Sequence, residues 1–313
     1  MSEPTRTITR RTMSTVLFAV AASPAGVACA REEPRRVAVS GSEPVARAVP
    51  SAPDFAALER RFGARLGVFA QDSGTGETIS YRADEAFPMC STFKTYAAAA
   101  VLRAHPLASG FPDHTIAIAP EEVVPNSPIT GPRAGEGMTV SELCRAAITH
   151  SDNTAANKLF EILGGPPGLT AFARSIGDRV TRSDRVEPDL SSGVPGDPRD
   201  TTSPAAIGAG YRDIVLGGVL RAPERALLTE WLLANVTGEH RVRAGLPGTW
   251  RTADKTGTGG YGTANDIAVT WPATGAPLVL AVLTTGYARD APTHEALIAE
   301  TARVTSHAVA GGR

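Results

Sequence analysis

Lysine is nearly missing from this sequence. Of 31 Lys plus Arg residues only three are lysine: Lys94, Lys158 and Lys255. Cysteine is as scarce, at Cys29, Cys90 and Cys144. So few thiols exclude a disulfide scaffold, and the fold must rest on its apolar core. Cys90 and Cys144 read as buried, inert thiols; a bond between them in an oxidising compartment is the alternative. Net charge is only −1, which gives no footing for nucleic acid or a membrane surface. The six histidines, at 105, 114, 150, 240, 294 and 307, form no H-x-H cluster. No zinc-ligand spacing is found, and no metal or cofactor is expected. His150 reads as a plain helix-end residue. Internal repeats are missing too.

What is present is a 313-residue chain with 42% hydrophobic content, enough for one large core or one two-lobed domain. Residues 1–30 read as an export signal: Arg6, Arg10 and Arg11, then the apolar run V-L-F-A-V-A-A, then V-A-C-A for cleavage. The run is too short to span a bilayer. Thr9-Arg10-Arg11-Thr12-Met13 fits a twin-arginine signal, beside an ordinary secretory one. Lipid attachment at Cys29 ranks below simple cleavage, because Gly26 stands where such sites take a larger apolar residue. Residues 31–54 are charged and Pro-rich, and read as a disordered spacer.

Order is expected from Phe55, with a helix over 55–62 stopping at Gly63 and strands over 66–71 and 78–81. Helices follow at 92–103, from the capping box Thr139-Val140-Ser141-Glu142 to 148, and at 154–163, closed by Gly164-Gly165. Strands return at 266–271 and 278–284, and 292–310 reads as a final helix. Strands at both ends with helices between them imply one α/β lobe made from both termini and a helical insert.

If Ser91 opens a helix, Lys94 shares its face. An amine beside a hydroxyl can draw off its proton, and a helix N-terminus favours developing negative charge. Arginine cannot serve, since it never gives up its proton. Lys255, in D-K-T-G-T-G-G-Y-G ahead of a predicted strand, gathers a cation, hydroxyls and flexible glycines, a setting suited to a carboxylate. Ser151-Asp152-Asn153 falls at a break between helices. Its hydroxyl and amide can enter a cleft, or Asn153 can simply cap the helix at Thr154.

The order S-x-x-K, S-D-N, K-T-G in one exported chain resembles the class A serine β-lactamases, and the resemblance runs from about residue 55 to 310. It implies a two-lobe α/β (α+β) fold, an antiparallel sheet flanked by helices plus an all-helical lobe. The single domain is then 55–313, with an α/β lobe at about 55–88 and 234–313 and a helical lobe at about 89–233. R-V-E-P-D-L-S, continuing to Asp200-Thr201-Thr202, looks like the family's omega loop. By resemblance, Arg185 and Asp200 pair to close it, Glu187-Pro188 is a candidate cis bond, and Glu187 is the base for a deacylating water. The implied roles are Ser91 as nucleophile and Lys94 or Glu187 as its base. Ser151 relays a proton to the leaving nitrogen, and Asn153 binds the substrate amide. Lys255, Thr256, Gly257 and Thr258 form the carboxylate-binding strand, with an oxyanion held by the N–H groups of Ser91 and Thr258.

Three positions depart from the pattern. Ser191 replaces an asparagine that helps hold the water, which implies slower deacylation. Ala264 replaces a carboxylate-binding arginine, a task that Arg241 is expected to take over. Asn126 stands where relatives place an aromatic gate. Gly259 is not the cysteine that pairs with the Cys90 position in several carbapenem-hydrolysing relatives, which leaves carbapenems open. The implied protein is an exported, secreted or periplasmic monomer acting on a small β-lactam, without nucleic acid or a stable membrane partner. The rival readings are a β-lactam sensor that stays acylated and a D,D-peptidase; Glu187 argues against the second.

Overall fold

The structure, a computed structural model, describes residues 53–311. The export signal, its twin-arginine pair, Cys29 and nearly all of the spacer lie outside the described residues. In chain order the elements are α1 (Phe55–Phe62), β1 (Arg65–Asp72), β2 (Thr78–Tyr81), β3 (Phe87–Pro88), α2 (Phe93–Ala104), β4 (Thr115–Ala117), β5 (Gly137–Thr139), α3 (Val140–Thr149), α4 (Asn153–Leu163), α5 (Pro166–Ser175), β6 (Thr201–Thr202), α6 (Pro204–Val215), α7 (Ala222–Leu233), α8 (Val242–Gly245), β7 (Arg251–Thr258), β8 (Ala264–Trp271), β9 (Leu278–Thr285) and α9 (Glu295–Gly311). Short 3-10 turns connect several of them.

The main sheet runs β2-β1-β9-β8-β7 and is antiparallel throughout. Side-chain alternation sorts its residues into two cores. Leu278, Leu280 and Val282 of β9 join Leu66 and Val68 of β1 and Leu297, Ile298 and Ala302 of α9 in one cluster. Val279, Ala281 and Leu283 face the other way and join Ile267 and Val269 of β8 and the interiors of α2, α3, α4 and α6. β9 is covered on both faces, which is why L-V-L-A-V-L-T reads as an unbroken apolar run. The termini thus build the sheet lobe, and residues between β3 and α8 build the helical one.

Local signals behave as chemistry dictates. α1 ends at Gly63, whose φ of 63° is the left-handed cap. Thr139 and Glu142 form both halves of the capping box that opens α3. Two expectations need correction. D-K-T-G-T does precede the expected strand, which is β8, but it is not a loop: it is the second half of strand β7, which pairs along its whole length with β8. And α4 is capped by Asp152, whose carboxylate accepts from Ala155 N at 2.8 Å, so Asn153 is its first residue and not its cap. Cys90 and Cys144 are both free and buried. Burial pushes the Cys144 thiol up to about 12 and the Cys90 thiol higher still, so both are protonated at neutral pH.

Candidate active site

Ser91 sits in the 3-10 turn Cys90–Thr92 that leads into α2. The turn is held on several sides. Asn265 of β8 donates its amide to Pro88 O at 2.8 Å and to Met89 O at 3.2 Å, and Tyr211 of α6 donates to Thr92 O at 2.7 Å. On the β7 side, a Cβ on Gly257 would fall 2.8 Å from Met89 O, so only glycine lets the strand close on the Ser91 turn. Cys90, Asn126 and Ser151 all have positive φ, at 44°, 63° and 56°. Non-glycine residues tolerate this only where the surroundings force it, and here all three flank one cleft.

That cleft, about 360 Å³, is lined by Ser91, Ser151, Asn153, Glu187, Ser191, Arg241, Thr256 and Thr258, and also by Asn126, His150, Pro188 and Thr237. Lys94 and Lys255 are fully buried close by. The predicted constellation therefore converges from α2, the α3–α4 junction, the loop before α6 and strand β7. Arg185 Nε donates to Asp200 Oδ2 at 2.6 Å at the base of the loop. The Glu187-Pro188 bond is cis. Asn157 of α4, which nothing in the sequence singled out, clamps Glu187 by its backbone. Its Oδ1 accepts from Glu187 N at 3.0 Å and its Nδ2 donates to Glu187 O at 2.9 Å.

One oxygen of Glu187 is crowded and the other is not. Ser91 Oγ donates to Oε1 at 3.3 Å, Ser191 Oγ donates to it at 3.2 Å, and Lys94 Nζ lies 3.7 Å away. Oε2 is buried with no hydrogen-bond partner among the described residues. Lys94 does not hydrogen-bond Ser91 among the described residues. Its Nζ donates to Ser151 O at 2.7 Å, to Asn153 Oδ1 at 2.6 Å and, at 3.4 Å, to Ser151 Oγ. The shared helix face brings Lys94 beside the serine, but its amine goes where acceptors meet. Burial pushes Lys94 down to about 8, opposed by the Glu187 carboxylate.

Lys255 is pushed well below its usual range, by burial first and by the Lys94 charge second. Its Nζ donates only to Thr256 O, at 2.9 Å, and forms no ion pair among the described residues. Lys94 is balanced by Glu187, and Arg241 by Glu295, which accepts from its Nε at 3.0 Å. Lys255 is thus a buried amine with the Asp254 and Asp266 carboxylates near it but no ion pair among the described residues, and an anionic ligand in the cleft would supply one. Arg241 gives three more donors to Gly257 O and Asn265 O, both at 2.9 Å, and to Thr258 Oγ1 at 2.7 Å, which leaves one of its five N–H groups for a ligand. His150 proves to stand at the cleft rim, hydrogen-bonded to the Thr149 hydroxyl at 2.8 Å. Asn126 donates to Ser151 O at 3.1 Å, which ties the rim to the serine instead of presenting a ring.

The comparisons with known proteins agree with this arrangement. The profile of the beta-lactamase enzyme family matches residues 50–309. The chain is 50% identical to beta-lactamase AST-1 of Nocardia asteroides, over 98% of each chain. It is 51% identical to the carbapenem-hydrolyzing beta-lactamase KPC of Klebsiella oxytoca, over 80% of this chain and 86% of that one. A crystal structure of a beta-lactamase from Desulfarculus baarsii superposes with a TM-score of 0.79 at 49% identity, covering 81% of this chain and 94% of the other. The chain belongs to the β-lactamase enzyme family, and within it is a class A serine β-lactamase, a hydrolase that opens the β-lactam ring.

Proposed function

We propose that this chain hydrolyses penicillins and cephalosporins through an ester on Ser91 and so confers resistance to them. The observation that carries the reading is the divided carboxylate of Glu187. Oε1 receives the nucleophile's proton directly, while the buried, unpartnered Oε2 is placed to bind and deprotonate a water. In acylation the Ser91 oxygen attacks the ring carbonyl and its proton passes to Glu187. The carbonyl–nitrogen bond breaks as Ser151 gives its proton to the nitrogen. Lys94, 3.4 Å from Ser151 Oγ, replaces that proton and recovers its own from Glu187. In deacylation Glu187 takes a proton from water, which attacks the ester, and Ser91 leaves with its proton restored. The N–H groups of Ser91 and Thr258 face the developing oxyanion. Lys255, Thr258 and Arg241 meet the substrate carboxylate, and Asn153 the side-chain amide. Export by residues 1–30 would place the enzyme where these drugs arrive.

The test mixes the mature protein with a large excess of benzylpenicillin or a cephalosporin, follows ring opening, and takes an intact-protein mass. Many turnovers, abolished by Ser91→Ala, are expected. One equivalent consumed with a lasting adduct would replace this reading by a sensor or a peptidase.

In this scheme Lys94 works as an ammonium, its three protons shared among Ser151, Asn153 and Glu187. The proton is lost as pH rises through about 8. The kcat/KM for benzylpenicillin should therefore fall on the alkaline side with a midpoint near 8. A rise through the same range would make the neutral amine the base and overturn the assignment.

A further inference from the structure

A second cavity, of about 300 Å³, shares one wall with the catalytic cleft. That wall is His150, which lines both spaces. The floor is one face of α3: Glu142, Arg145, Ala146 and Thr149 recur at the spacing of a single helix face. Ile129, Arg133 and Met138 close the far side. These walls are anchored. Asp152 Oδ2 accepts from Ile129 N at 2.9 Å, and Met138 lies in strand β5. The small Ala146 leaves the room between them.

The polar groups of the cavity differ in what they have left to give. Arg133 donates Nε to Glu136 at 2.7 Å and Nη2 to Gly137 O at 2.6 Å. Glu142 accepts from Thr139 N at 2.7 Å, and the N-terminal dipole of α3 offsets its charge. The Arg145 guanidinium has no ion pair or hydrogen bond among the described residues. It keeps all five N–H donors, in the fork that suits a carboxylate.

His150 is a fixed partition. Thr149 Oγ1 lies 2.8 Å from Arg145 O, a carbonyl with no proton, so the Thr149 proton lies on that line. His150 Nδ1, also 2.8 Å from Thr149 Oγ1, must then carry the proton between those two atoms. The ring is held by that edge. Val236, which is 60% exposed, joins the same junction through its N–H, which donates to Thr149 O at 3.0 Å. The passage from cleft to cavity is therefore bordered by an apolar residue and an imidazole.

The scissile bond decides which part of a substrate comes near. Ser151 protonates the ring nitrogen in the proposed scheme, and His150 precedes it in the chain. Groups carried by the ring fused at that nitrogen thus lie on the His150 side, while the acyl side chain lies toward Asn153. We infer that the second cavity is an accessory subsite for an apolar arm ending in a carboxylate, borne on the leaving half of the substrate and anchored by Arg145. The inference deepens the acyl-enzyme reading and rests on it for the direction of the arm.

The experiment uses three cephalosporins that differ only on the six-membered ring, beside the carbon that bears the carboxylate. One carries a para-carboxyphenyl thioether arm, one its para-carboxamide and one a plain methyl group. Kd is measured calorimetrically in the Ser91→Ala protein, and turnover of the methyl compound in the active protein. The carboxylate arm is expected to bind about fivefold tighter than the carboxamide, the upper end for a partly exposed ion pair, and the ratio shrinks with added salt. Arg145→Gln brings the ratio to about one, and Arg145→Lys restores most of it. Ala146→Leu, which fills the cavity, removes the gain of both arms over methyl, with Tm as the check on folding. A ratio of one in the Ser91→Ala protein, or a ratio that Arg145→Gln leaves intact, overturns the inference. Normal turnover with a ratio of one leaves the hydrolase standing without the subsite. Failed turnover with an Arg145-dependent ratio removes the acyl-enzyme reading and keeps the subsite.

Discussion

Glu187→Gln is expected to trap the enzyme as a penicilloyl ester on Ser91, with kcat for benzylpenicillin lowered about 10²–10⁴-fold, the range of a general base. The substitution changes few contacts. An amide oxygen can stay where Oε1 now accepts from Ser91 and Ser191, and the amide nitrogen falls at Oε2. The Asn157 clamp acts on the backbone of residue 187 and survives. What is lost is the ability to take a proton, at the oxygen that the protein leaves unpartnered. Both half-reactions use Glu187 in the proposed scheme, but they are not hit equally. Acylation still has a strained ring to open, and without the Glu187 charge that holds its proton Lys94 is pushed toward the neutral amine, which can take over as a slower base. Hydrolysis of an unstrained ester has only the water that this carboxylate would activate. The checks are stopped-flow burst kinetics and an intact-protein mass taken after minutes of exposure. A burst of one equivalent with a persistent adduct is expected. An unchanged kcat would remove Glu187 from the mechanism. Loss of the burst itself would mean that Glu187 is indispensable to acylation and Lys94 no substitute.

The fold was legible where the signal is local. The capping box at Thr139, the stop at Gly63 and the apolar run of β9 each depend on a few neighbouring residues, and the structure bears them out. Strand β7 was not legible as a strand. R-T-A-D-K-T-G-T is polar and has a glycine next to its end, and it is extended only because eight residues of β8 pair with it. Ser91 and its neighbour Lys94 stood out through spacing and scarcity. The groups that aim them did not. Asn157, Asn235, Thr237 and Asn265 act from remote elements through a few side-chain hydrogen bonds each, and an isolated Asn or Thr carries no periodicity to notice. The Lys94 geometry shows the same limit. Helical spacing puts two residues on one face, but the position of a long amine is decided by the acceptors that Ser151, Asn153 and Glu187 supply from elsewhere.

Asp152 is where that limit has its largest consequence for stability. It is completely buried. Its carboxylate accepts from Ala155 N at 2.8 Å, from Ile129 N and Thr130 N at 2.9 Å each, and from Thr130 Oγ1 at 2.7 Å. One side chain thus caps α4 and ties the 129–130 segment to the junction that carries Ser151 and Asn153. Each bond to a charged acceptor contributes about 1.5–3 kcal/mol, and the donors left behind by its removal stay buried. Such contributions do not add fully, so Asp152→Ala should cost about 4–5 kcal/mol, a large share of the roughly 5–15 kcal/mol that holds a domain together. In a domain of this size that lowers Tm by roughly 10–20 °C. Asp152→Asn keeps one acceptor oxygen but turns its amide N–H groups toward former partners, so about half that loss is expected. Asn153→Ala is the decisive contrast. If Asn153 capped the helix, as the sequence alone allowed, its removal would carry the stability penalty. With the cap at Asp152, Asn153→Ala should leave Tm much nearer that of the native protein while raising KM, since its amide faces Lys94 and the cleft. Calorimetry and benzylpenicillin kinetics on the two variants separate the cases: a larger drop in Tm for Asn153→Ala than for Asp152→Ala would sink the assignment.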